Sequence, residues 1–106
     1  MKLTRSHLNY DLIARAALRS LPLIVPRWVP DGRREGHEWV ARNPKRSDRH
    51  LGSFKINLKT GQWADFATGD KGGDVISLAA YLHGLTQSAA ACRISEMLGL
   101  APEQSS

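Results

Sequence analysis

The residues whose types and spacing best suit chemistry are basic. Arg27, Arg33, Arg34, Arg42, Lys45, Arg46, Arg49, Lys55 and Lys59 fall in one third of the 106-residue chain, against the acids Asp31, Glu35, Glu38 and Asp48. That local surplus equals the chain's whole net charge of +5, so the remainder is neutral. A polyanion is the natural partner of such a segment, because phosphate contacts release condensed counterions. Arg42, Lys45, Arg46, Arg49 and Lys55 are the candidates for those contacts, since one loop and one strand face would display them together. Trp39, Trp63, Phe54 and Phe66 offer surface on which unpaired bases could stack. With only 7% aromatic residues, most are needed for a core, which leaves Trp39 or Trp63 to reach a base. The competing reading is a solvated face that only keeps the protein soluble.

Other chemistries find less support. Gly69-Asp70-Lys71-Gly72-Gly73-Asp74 precedes a helix but lacks the Gly-x4-Gly-Lys-Ser/Thr order, and Asp70 and Asp74 would repel a phosphate. A tight turn followed by a helix cap accounts for it. His7, His37, His50 and His83 do not pair with one another or with Cys92 at ligand spacing, which predicts no metal site. Cys92, the single cysteine, excludes an internal disulfide and reads as a small packed thiol. The acids do not form the carboxylate cluster that a two-metal polymerase site needs, and no Ser/His/Asp set has a recognisable context. The expectation is a non-enzyme without a cofactor.

The elements that must position the basic residues follow from periodicity. Leu8, Leu12, Ile13, Ala16 and Ala17 predict an amphipathic helix from Leu3 to about Ser20, capped by Ser6 or Asn9 and ended by Pro22. Pro22, Pro26 and Pro30 predict an extended or turning stretch from Leu23 to Arg33. Strands are expected at Glu38 to Arg42, Ser53 to Leu58 and Gln62 to Phe66. The basic loop Asn43 to Gly52 joins the first two, and a turn at Lys59-Thr60-Gly61 the last two. Val75, Leu78, Ala79 and Leu82 mark a helix between Asp74 and Gly84. Ala90, Ile94, Met97 and Leu98 mark another between Thr86 and Gly99. The fold class is therefore α+β: a small antiparallel sheet with one N-terminal and two C-terminal helices. It forms a single domain over residues 1–100 with a flexible tail at 101–106. The longest apolar run, Leu21 to Val25, is too short to span a membrane. The N-terminus has no secretory pattern, so the cytoplasm is the expected compartment.

One set of motifs points to a family. Ser53-Phe54, Trp63-Ala64-Asp65-Phe66 and Gly69-Asp70-Lys71-Gly72-Gly73-Asp74 with its following apolar helix resemble the N-terminal zinc-binding domain of bacterial and phage DNA primases. That family reads Cys-Pro-x-His, a polar loop, Ser-Phe-x-Val, a hairpin, then Cys-Phe-x-Cys-Gly-x-x-Gly-Asp. The likeness spans residues 39–83, and its Gly-Gly-Asp end is the most specific part. All four ligands are replaced: Asn43 and Arg46 stand at the upstream pair, Asp65 and Thr68 at the downstream pair. The segment is closer still to zinc-less versions at the front of primase–helicase proteins of phages and mobile elements. The resemblance implies a zinc-ribbon-like sheet without zinc. An Asp65–Arg46 ion pair or a hydrogen-bond set would replace the metal, helped by burial of Trp39, Trp63, Phe54 and Phe66.

The expected function is a non-catalytic, DNA-template-binding module of a phage or mobile-element replication system. By the resemblance, its ligand is single-stranded or forked DNA and its partner a primase or helicase. Arg42, Lys45, Arg46, Arg49 and Lys55 would hold the backbone, with Trp63 or Trp39 stacking. The alternative is a docking module for a replicative helicase or primase that no longer touches DNA, acting through its neutral helical half, Asp74 to Leu98.

Overall fold

The computed structural model describes residues 9–45 and 52–100. Helices α1 (Tyr10–Leu18) and α2 (Leu21–Trp28) come first. Strands β1 (Arg33–Glu35), β2 (Glu38–Ala41), β3 (Phe54–Asn57), β4 (Trp63–Asp65) and β5 (Lys71–Gly72) follow, then α3 (Val75–His83) and α4 (Gln87–Leu98). The strands lie in chain order in one antiparallel sheet. This is the expected α+β class with its two C-terminal helices.

Helix α1 begins at Tyr10 because Asn9 caps it, accepting the Leu12 N–H at 3.0 Å. The expected start at Leu3 and cap at Ser6 fall outside the described residues. Helix α2 corrects the expectation of an extended stretch. Pro22 sits in its first turn, where a missing N–H costs nothing, and only Pro26 interrupts the bonding. Leu21, Ile24, Val25 and Val29 recur at helical spacing, and all four are buried. An interior proline costs about 3 kcal/mol, whereas each buried side chain of this size contributes roughly 1.5–3 kcal/mol. Burial wins.

Two short strands also escape prediction from the sequence. Strand β1 closes on β2 through Gly36 and His37, with Gly36 at φ +64, the conformation a two-residue hairpin needs at its first turn position. Strand β5 forms inside the glycine-rich segment. Gly72 passes so close to Trp63 and Ser77 that a Cβ there would lie 2.3 Å from the Ser77 Oγ. The rest of that segment is the expected turn and cap. Asp74 accepts the Ser77 N–H at 2.9 Å, and Ser77 Oγ accepts the Asp74 N–H at 3.4 Å, a reciprocal capping box that starts α3. Left-handed Gly84 and Gly99 end α3 and α4 as the sequence implies.

Register divides the sheet into two faces. Trp39, Ile56 and Trp63 stand opposite one another, as do Ala41, Phe54 and Asp65. These point to the helices and join Ile13, Ala17, Leu21, Val25, Ile76, Leu78, Ala90 and Ile94 in the core. The other face carries Arg33, Val40, Lys55, Ala64 and Lys71 in one cross-strand row, and Glu35, Glu38 and Asn57 in the next. Four expectations about burial fail. Leu12, expected on the apolar stripe of α1, is 51% exposed. Cys92 is exposed, because Ala90, Ala91 and Ile94 take the inward positions of α4. Met97 is likewise largely exposed. Phe66 is 70% exposed rather than in the core, since Asp65 beside it points inward.

Candidate nucleic-acid interface

One upstream and one downstream knuckle position of the sequence motif, Asn43 and Asp65, are joined directly. Asn43 and Asp65 are buried polar residues. Asn43 Nδ2 donates to Asp65 Oδ2 at 2.7 Å and to the Tyr81 hydroxyl at 2.8 Å. Tyr81 donates in turn to Asp70 Oδ2 at 2.7 Å. Asp65 Oδ1 accepts from the N–H groups of Ala67 at 2.8 Å and Thr68 at 3.3 Å, and Asn43 Oδ1 accepts from that of Lys45 at 2.8 Å. Each polar atom thus meets a partner of the opposite kind, which is what makes burial tolerable. Desolvation, reinforced by its bond to Asp70, pushes the Tyr81 phenol above its ordinary 10.0. Among the described residues no group of three or more His, Cys, Asp or Glu side chains is placed to hold a metal.

This network fixes the end of the sheet from which the basic residues project. Arg42 follows the last residue of β2 and is exposed; alternation puts it on the outer face with Val40. Lys55 lies on that face at the centre of β3, directly opposite Ala64, which is itself opposite Lys71. Phe66, one alternation beyond Ala64, also faces outward, and Lys55 Nζ lies 5.7 Å from the centre of its ring. Arg33 closes the row at the edge, paired with Glu35 at 2.7 Å. Arg42, Lys55, Lys71 and Phe66 therefore share one face of the sheet, opposite the helices.

The other residues singled out by the sequence go elsewhere. Lys45 turns onto α3, where Nζ donates to the Tyr81 carbonyl at 2.7 Å and lies 5.0 Å from the Tyr81 ring centre. It braces the knuckle rather than joining the outer face. Trp63 is corrected from stacking candidate to core residue. It is only 5% exposed, its ring packs against Tyr81 and Phe54, and its Nε1 donates to Ser77 Oγ at 2.9 Å. Trp39 is half-buried and donates to the Val29 carbonyl at 2.8 Å. Arg46 and Arg49 lie outside the described residues, and with Arg46 the expected ion pair to Asp65. Sequence reasoning missed Lys71 and the outward direction of Phe66. Both follow from alternation once Phe54 and Ile56 are assigned to the core and β4 is set in register opposite them.

A second surface lies on the helical half. A cleft of about 290 Å³ is lined by Trp28, Ala79, His83, Leu85, Arg93, Ile94 and Met97. Trp28 and His83 meet edge to face across it, with ring centres 5.6 Å apart. No helix among the described residues is long and apolar enough to cross a membrane.

Comparison with protein-family models, with curated proteins and with solved structures finds no match to this chain.

Proposed function

We propose that the protein is a non-catalytic nucleic-acid-binding module that holds DNA on the outer face of its sheet. In this reading it works in the cytoplasm as the template-binding part of a phage or mobile-element replication system. A primase or helicase partner supplies the chemistry, as the resemblance to primase zinc-binding domains implies. The observation that carries the reading is the placement of Arg42, Lys55 and Lys71 on the sheet face opposite the one that packs into the helical core. A cationic sheet face is a backbone-tracking surface for a flexible polyanion.

The cleft beside Met97 favours a second reading, in which the helical half docks on a replication protein without DNA contact. An anisotropy titration with labelled single-stranded and duplex oligonucleotides at two salt concentrations separates them. Three phosphate contacts to a single strand give a log–log salt slope of about −2, or roughly 20-fold weaker binding for a fourfold rise in salt. Salt-steep binding supports the DNA reading. Absence of binding at low salt rejects it and leaves the docking reading.

A further inference from the structure

The outer face carries an aromatic ring whose exposure the fold does not require. Phe66 occupies an outward strand-end position, where a polar side chain would cost the core nothing, yet it is 70% exposed. The backbone beneath it is pinned on both sides. The Phe66 N–H donates to the Ser53 carbonyl at 2.7 Å. Asp65 before it is fully buried, and its carboxyl group holds the Ala67 and Thr68 N–H groups after it. The Asp65 backbone adds bonds to Asp70 and Gly69, both 2.8 Å. A ring held out on so fixed a support binds a flat partner with little further ordering cost.

The surroundings of the ring define that partner. Lys55 Nζ lies over the ring, 5.7 Å from its centre, so a base stacks on the other face or displaces it, and the cation stays within reach of that base's phosphate. Ala64, two residues back along β4, sits between Lys55 and Lys71 in the cross-strand row. The small side chain leaves a low floor between two cations, beside one aromatic ring. A planar, uncharged group linked to phosphates on either side matches this arrangement. That is an unpaired nucleotide, since in a duplex the faces of the bases are already covered by their neighbours.

We infer that Phe66 stacks on an unpaired base while Lys55 and Lys71 take the flanking phosphates, so that the outer face selects single-stranded over duplex DNA. The inference rests on the nucleic-acid reading above and adds the residue, Phe66, through which the sheet face would tell an unpaired strand from a duplex. Its test uses anisotropy with three probes: an oligothymidylate of about twelve nucleotides, an abasic strand of the same length and charge, and a hairpin duplex. Phe66→Ala should weaken oligothymidylate binding by about 5- to 150-fold, the range of one lost base–aromatic stack. Phe66→Tyr should retain the affinity, and wild type and Phe66→Ala should bind the abasic strand equally. The exposed side chain leaves the melting temperature of both variants near that of the wild type, which separates loss of binding from loss of fold. Equal oligothymidylate affinity of wild type and Phe66→Ala would overturn the inference, as would a penalty of the same size on the abasic strand. Tight wild-type binding to the duplex alone would overturn the strand class while leaving the charge reading intact. If wild type binds none of the probes at low salt, it is the nucleic-acid reading itself that falls.

Discussion

Asp65→Asn tests whether a polar network joins the sheet end to α3. The substitution preserves shape. The Asn oxygen can still accept from the Ala67 and Thr68 N–H groups, but its amide then lies against Asn43 Nδ2, where Asp65 Oδ2 now accepts at 2.7 Å. Rotating Asn43 gives no relief. Its Oδ1 accepts from Lys45, and its Nδ2 also donates to Tyr81. Two donors therefore face each other at a fully buried position, and one hydrogen bond to an acidic group is lost. A loss of this kind costs about 1.5–3 kcal/mol. For a domain of this size, each kcal/mol lowers the melting temperature by about 4–8 °C. Urea unfolding followed by circular dichroism should show an earlier midpoint with an unchanged slope. Adding Asn43→Asp to Asp65→Asn should recover part of the loss, because donor and acceptor again face each other, with a coupling term above about 0.5 kcal/mol. A loss below about 0.5 kcal/mol, the range of an ordinary surface substitution, would refute the reasoning.

Three further outcomes are expected. Gly72→Ala should destabilise by about 1–3 kcal/mol in thermal melts, since its Cβ would press on Trp63 and Ser77 with backbone pairing on β4 leaving little room to move. The Tyr81 phenol is raised above 10.0 by burial and its bond to Asp70, so its contribution to stability is complete below that pH and is lost as pH rises through the folded-state value. Tyr81→Phe should therefore flatten the alkaline fall of the unfolding midpoint. Lys55→Ala and Lys71→Ala should each reduce the salt slope of single-strand binding by about 0.7 while leaving the melting temperature unchanged.

How much of this was legible in the sequence differs from element to element. Helices α3 and α4 announce themselves through Asp74, Thr86, Gly84 and Gly99, because caps are local and their chemistry is written in one or two residues. Strands β2 to β4 follow from alternation. Helix α2 was hidden because proline is a strong local signal, while the burial that outweighs it depends on partners distant in the chain. Strands β1 and β5 are too short for a pattern of their own and exist by pairing with β2 and β4.

The candidate site was half legible for a similar reason. In Trp63-Ala64-Asp65-Phe66, residue type suggests aspartate outward and phenylalanine inward. Alternation says the opposite: Trp63 and Asp65 share the inner face, Ala64 and Phe66 the outer. The buried position of Asp65 is made tolerable in part by Asn43, 22 residues earlier, which supplies a donor to Oδ2. No local rule could show that. The same long-range contact draws Lys45 away from the cationic face, since Asn43 accepts its N–H and Tyr81 takes its ammonium group. The face that Lys55 shares with Arg42 was legible because Lys55 lies on β3, whose alternation was already clear, and Arg42 directly follows its neighbour β2.

The most direct test of the central claim is to map backbone amide shifts while adding a single-stranded oligonucleotide at low salt. The account predicts changes centred on Arg42, Lys55, Ala64, Phe66 and Lys71, with α4 and the cleft around Met97 unmoved. Changes confined to α3 and α4, or none, would contradict it.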